Sequence, residues 1–302
     1  MSRVATVPLQ RTMASAISVA QEKLAVTQQK LSTGKKASDF ASLGTEAVRN
    51  LSAHSLLEQQ KAQSAVGSRV GTTMSLYQGH IEGIQTTATD LRQQIMTAIG
   101  TGQSSGLQEA MESAFNQIRA SLNASEGGVP LFAGSQTDQQ PFSVTSLADA
   151  ATTTADDAFH DDNKLASVRV GDGVDVTYGV NASSIGKKLY EAFRTLAQTG
   201  PIGSTITAAQ KTALQQAVAQ LNGGLNDVST VNADNGRKQN QVEDLTKRGQ
   251  DRSLLLQKVI EDNEDADLGQ VALDLSQQQT VLQASYSVFS QLSGLSLVKY
   301  LS

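Results

Sequence analysis

Apolar residues return along this chain at helical steps. In 279–302, Leu282, Phe289 and Leu292 follow steps of seven and three, with Leu275 seven residues earlier. Val281, Val288 and Leu295 form a second row beside them. The two rows sit roughly 100° apart around a helix, a sector wider than one partner helix covers. A matching stripe opens the chain: Met13, Ile17, Ala20, Leu24, Thr27 and Leu31 alternate steps of four and three, which predicts a helix over 9–33. Part of the C-terminal stripe can be covered by Ile17, Leu24 and Leu31. The remainder is left for other molecules.

Between these ends the same period persists. Gly34 and Gly44 in "STGKKASDFASLG" mark a loop. Over 45–100, Val70, Met74, Tyr77, Ile81, Ile84, Ala88, Leu91, Ile95 and Ala98 alternate four and three without a gap, a coiled-coil-like seam. A helix of about 55 residues spans about 80 Å, and Gly67, Gly71, Gly79 and Gly83 tax its continuity. After a turn at "GTGQSSG", Leu107, Met111, Ala114, Ile118 and Leu122 predict a third helix, ended by "NASEGGVP". Residues 149–162 read as an exposed loop of Ala, Thr and Asp. In "LASVRVGDGVDVTYGV", valines 168, 170, 174 and 176 flank Gly171-Asp172-Gly173, a hairpin pattern. Helix resumes at 184–198 with Ile185, Leu189, Phe193 and Leu196, breaks at "QTGPIGST", and starts again near Thr207. Leu214, Val218, Leu221, Leu225 and Val228 carry that seam until Asn232, Asn235 and Gln239 turn it polar. "EDNEDADLG" then ends it. The four prolines, at 8, 130, 141 and 201, mark where helices should not run.

The expected fold is therefore mainly α: an elongated antiparallel helical rod or coiled-coil bundle built from the N- and C-terminal segments. Its expected parts are a terminal helix at 1–44, rod segments at 45–129 and 184–264, a small β-rich outer insert at 130–183, and a terminal helix at 265–302. Composition agrees. Hydrophobic residues make up 39% of 302, but aromatics only 4% and tryptophan is absent, which suits aliphatic helix seams better than a large globular core.

Charge and chemistry narrow the function. A net charge of −5 argues against nucleic acid, and Arg237, Lys238, Lys247 and Arg248 are interleaved with Glu243 and Asp244, as on a solvated helix face. With no cysteine, neither disulfide nor thiolate chemistry is possible. The N-terminus lacks the layout of a cleaved secretory signal, and no apolar run reaches the roughly 18 residues of a membrane span, so no membrane insertion is expected. Phosphate-cradling loops and G-x-S-x-G are missing. His54, His80 and His160 fall in no zinc pattern, and the acids around His160 match no calcium loop. No enzyme, cofactor or metal site is expected.

Four stretches carry a resemblance. "LAVTQQKLSTGKKASDFAS" (24–42), with Leu31-Ser32-Thr33-Gly34, resembles the N-terminal segment of the bacterial flagellin superfamily. "VPLFAGSQTDQQPF" (129–142), "VRVGDGVDVTYGVNAS" (168–183) and "LQASYSVFSQLSGLSLVKYL" (282–301) are similar to passages of its hook–filament junction branch, hook-associated protein 3. The likeness covers residues 1–140 and 208–302, and the flagellin-type "Ala-Asn-Gln…Val-Leu-Ser-Leu-Leu" ending is missing.

The resemblance implies a structural subunit that polymerises through its terminal helices and connects hook-associated protein 1 to the filament. It implies self, hook-associated protein 1, flagellin and an export chaperone as partners. It also implies an extracellular place on the flagellum, reached unfolded through the flagellar export apparatus without signal cleavage. The packing residues expected for this role are Ile17, Leu24, Leu31, Leu275, Leu282, Val288, Phe289, Leu292 and Leu295, with a rod seam of Tyr77, Ile81, Ile84, Leu91 and Ile95. A filament flagellin and a coiled-coil signalling module are the alternatives.

Overall fold

The structure, a computed structural model, describes residues 3–171 and 173–301, and among these the side chains of all but 3–7, 10 and 292–301. It is mainly α with a little β. The helices are α1 (Arg3–Thr33), α2 (Ala47–Thr101), α3 (Leu107–Leu122), a single turn α4 (Ala155–Ala158), α5 (Ala182–Gln198), α6 (Ala208–Glu264) and α7 (Leu268–Leu301). Two antiparallel hairpins, β1 (Ser125–Glu126) with β2 (Val129–Pro130) and β3 (Ala166–Arg169) with β4 (Asp175–Tyr178), supply the strands.

Local chemistry explains the helix starts. At α6, Thr207 Oγ1 accepts from Gln210 N at 3.2 Å while Gln210 Oε1 accepts from Thr207 N at 3.0 Å, a reciprocal cap. At α7, Asp267 accepts from Gly269 N at 2.9 Å and Gln270 N at 3.2 Å. The helix α1 runs through Pro8, contrary to the expectation that proline bounds it. Pro8 sits in the second turn, so only one backbone bond, to Val4, is forfeited. The glycines of α2 do not interrupt it.

The chain divides into two compact units, 1–59 with 252–302 and 60–251. In the second unit, the seam of α2 is internal. Ile81, Ile84, Leu91 and Ile95 are almost fully buried among α3 (Met111, Phe115, Ile118), α5 (Ile185, Leu189, Phe193) and α6 (Leu214, Leu221, Val228). Tyr77 closes this core, its hydroxyl donating to the Leu131 carbonyl at 2.7 Å. Burial pushes the Tyr77 phenol up to about 12, so it stays a donor. The β3–β4 hairpin lays Val176 and Val168 on a smaller cluster with Val70, Met74 and Val242. Asn235, in the polar stretch of α6, donates to the Met74 carbonyl at 3.1 Å, so its buried amide is paired.

The middle of the chain departs from expectation. Residues 149–162 are not an exposed loop. Ala150, Ala155 and Ala158 are buried, and Phe159 packs on Phe142 at 5.0 Å and on Tyr190 at 6.1 Å. Ala155 and Ala158 on the single turn of α4, with Ala150 before it, supply a small apolar face that composition alone conceals. Nor is 130–183 rich in β. Beyond β3–β4 it is mostly irregular, and Leu131, Phe132 and Phe142 anchor it in the main core.

One close approach is testable. A Cβ at Gly224 in α6 would lie 2.9 Å from the backbone N of Leu189 and 2.5 Å from its Cδ2. Gly224→Ala is expected to destabilise the chain by about 1–3 kcal/mol despite the better helix propensity of alanine, read as a lowered denaturation midpoint. A stabilised variant would contradict this packing.

Candidate assembly surface

The first unit buries few large side chains. The helices α1 and α7 run antiparallel along each other, with Gln21 Nε2 donating to Tyr286 Oη at 2.5 Å. On α1 the facing residues are Met13, Ile17, Ala20, Leu24 and Thr27. On α7 they are Val271, Leu275, Gln278, Leu282, Ser285 and Phe289. Both sets alternate four and three, so two coiled-coil stripes meet. Yet among their described apolar side chains only Ile17 and Val271 fall to 8% exposure; Leu24, Leu275, Leu282 and Phe289 remain half-buried. Leu31, expected to cover α7, is 40% exposed. Thr27 is the buried member of that turn, its hydroxyl donating to the Lys23 carbonyl at 2.9 Å.

The flanks of the pair are apolar and open. Val281 is 51% and Val288 42% exposed, and Leu273 reaches 68%; Leu9, Val19 and Val26 do the same on α1. Between the helices, Ala16, Val19 and Ala20 face Gln277, Gln278 and Val281 across a groove of about 370 Å³, with Lys23 and Asp274 also lining it. Leu292 and Leu295 lie outside the described side chains. Of 20 exposed large hydrophobic residues among those described, 15 belong to this unit, which holds little more than a third of the chain. Monomeric surfaces seldom concentrate apolar area in this way.

Below the pair lies a joint that sequence reasoning missed. Lys36 N donates to the Glu264 carbonyl at 2.6 Å and Ala266 N to the Gly34 carbonyl at 2.8 Å, a short antiparallel bridge between the α1–α2 loop and the α6–α7 break. The Glu264 carboxylate meets Asn50 Nδ2 and His54 Nε2 at 2.6 Å each and Lys35 Nζ at 3.2 Å. Burial pushes this carboxyl up, but the hydrogen bonds from His54, Asn50 and Lys35 outweigh it and bring it down to about 2. Lys35 also reaches Asp265 at 2.6 Å. The acidic break hinted at this place, but its partners lie more than 200 residues away in sequence.

The five residues of the α2 seam lie together in the core of the second unit. Their burial leaves nothing for an intermolecular coiled coil there. Among the described residues no group of three or more acidic or histidine side chains could hold a metal ion, and no helix is long and apolar enough to cross a membrane.

No family profile matches the chain. The curated flagellar hook-associated protein 3 of Escherichia coli (strain K12) is 39% identical over 85 residues, which is 28% of this chain and 27% of that protein's length. Three solved structures share the fold. A putative flagellar hook-associated protein from Vibrio parahaemolyticus matches with TM-score 0.59 and 17% identity, over 72% of this chain and 97% of its own. Bacillus cereus FlgL matches at 0.55 and 13%, over 70% and 98%. Flagellar hook-associated protein 3 from Legionella pneumophila matches at 0.57 and 11%, over 70% and 97%. The chain thus resembles flagellar hook-associated protein 3 in a stretch of its sequence and has the fold of that protein's solved structures.

Proposed function

We propose that the chain is a structural subunit of the bacterial flagellum, placed at the hook–filament junction. The observation that carries this reading is the crowding of exposed apolar side chains into the unit built from both ends of the chain. The α1–α7 pair fully buries only two described apolar residues of its own. Copies stacked head to tail can cover the rest, and heterologous contacts that do not close build a helical tube. In the dilute chain α1 and α7 are expected to be largely unfolded and to order on assembly, because two weakly buried helices do not offset the entropy of fixing their backbones.

The likeness to hook-associated protein 3 supports the finer role. In it the subunit joins hook-associated protein 1 to flagellin, reaches the cell exterior through the flagellar export apparatus with a chaperone, and does no catalysis. Immunogold labelling of intact flagella tests the placement. A band at the top of the hook is expected; label along the whole filament would reassign the chain to filament flagellin. Deletion of the chain is expected to leave hooks bare while flagellin accumulates in the medium.

A further inference from the structure

We infer that the ionised carboxylate of Glu264 holds the joint beneath α1 and α7 closed, and that its protonation releases it. Three side-chain donors from two different segments converge on this one group: Asn50 and His54 from α2 and Lys35 from the α1–α2 loop. Its own backbone carbonyl takes the Lys36 amide, so the residue ties the loop by main chain and side chain together.

Asn50 shows how far the site depends on that charge. It is fully buried, its Nδ2 donates to Glu264, and its Oδ1 has no partner among the described residues. A buried amide with one hydrogen bond is tolerable when that bond runs to a carboxylate, which is stronger than a neutral one. Weakening it leaves a polar side chain stranded away from water.

The remaining charged groups at the joint are Lys36 and Asp39 of the loop and Asp262 and Asp265 of the α6–α7 side. Lys36 Nζ donates to the Asp262 carbonyl, Asp39 accepts from Ser42, and Asp265 takes Lys35. Among these carboxylates Glu264 is the one bonded to side chains of both α2 and the α1–α2 loop, so its neutralisation loosens both at once. The direction follows from linkage. A carboxyl held below its ordinary value of 4.5 adds stability that is complete above that pH and lost as pH falls toward about 2.

The consequence for assembly rests on the reading that α1 and α7 form the assembly surface; the lock itself does not. It is tested in the full chain, below the concentration at which it assembles, by the exchange protection of two amides, Lys36 N–H and Ala266 N–H. The wild-type chain is expected to protect both at neutral pH and to lose that protection as acid is added. Glu264→Gln, which keeps the shape without the charge, is expected to lower protection about tenfold or more at neutral pH and to flatten its pH dependence. Amides of α6 near Leu221 and Val228 report whether the variant is otherwise folded. Equal protection in variant and wild type overturns the lock. So does wild-type protection that stays unchanged down to the acid limit, which decides the matter even if the variant misfolds. Protection of the α1 and α7 amides themselves in the free chain would overturn the assembly reading instead, and it is read on different residues.

Discussion

Replacing Val281 and Val288 together with glutamate is expected to abolish self-assembly of the purified chain while leaving its core intact. Both side chains are about half exposed in the single chain, so the substitution removes little internal packing. They lie on the flank of α7 beside the stripe that meets α1, with Val281 at the open groove between the two helices. Covering each by a neighbouring copy is worth roughly 1.5–3 kcal/mol, and a buried unpaired carboxylate costs several more. A combined loss of at least about 5 kcal/mol lowers the association constant by more than about a thousandfold. Sedimentation velocity reads assembly, and a thermal melt reads the fold. An unchanged melt with lost assembly is the expected result. Assembly at wild-type strength would remove this flank from the interface.

The largest effect on stability is expected at Phe193. Its ring is 1% exposed and stands edge-on to Phe115 at 5.5 Å, where α5 and α3 meet in the core. Phe193→Ala removes the ring and leaves a cavity in a site walled by four helices that cannot all move in. The cost is expected at about 3–5 kcal/mol, toward the upper part because an aromatic pair is lost as well. Denaturant titration measures it, and a loss under about 1 kcal/mol would contradict the core described.

Much of the helical frame was legible because helical periodicity needs no partner to be seen. The seam from Tyr77 to Ile95 could be written down from spacing alone, and each member is buried. What spacing could not supply was the identity of the partners. The same seam would serve an intermolecular coiled coil, and only the structure shows α3, α5 and α6 filling it. The hairpin at 166–178 was visible through its valines and central glycines, whereas β1–β2 was not, since two-residue strands carry no alternation to detect. Residues 149–162 misled because alanine, threonine and aspartate are loop-like in bulk, while the packing depends on three alanines in particular places.

The open apolar flank of α7 was legible as an excess: two apolar rows where one partner helix needs one. Leu31 shows the limit of that reasoning, since an apolar residue in register still ended on the open side. The Glu264 joint was not legible at all. Asn50, His54 and Lys35 are ordinary residues on predicted helices and a loop, and their relation to one carboxylate exists only after the two chain ends have met.

Within one molecule α1 and α7 leave much of their apolar surface unsheltered. Hydrogen exchange on the dilute chain and on its assembled form compares the same amides in both states. The account predicts that amides of 11–33 and 268–291 exchange at nearly unfolded rates when dilute and become strongly protected on assembly, while those of α2 from Tyr77 to Ile95 are protected throughout. Amides of α1 and α7 that are already slow in the dilute chain would contradict it.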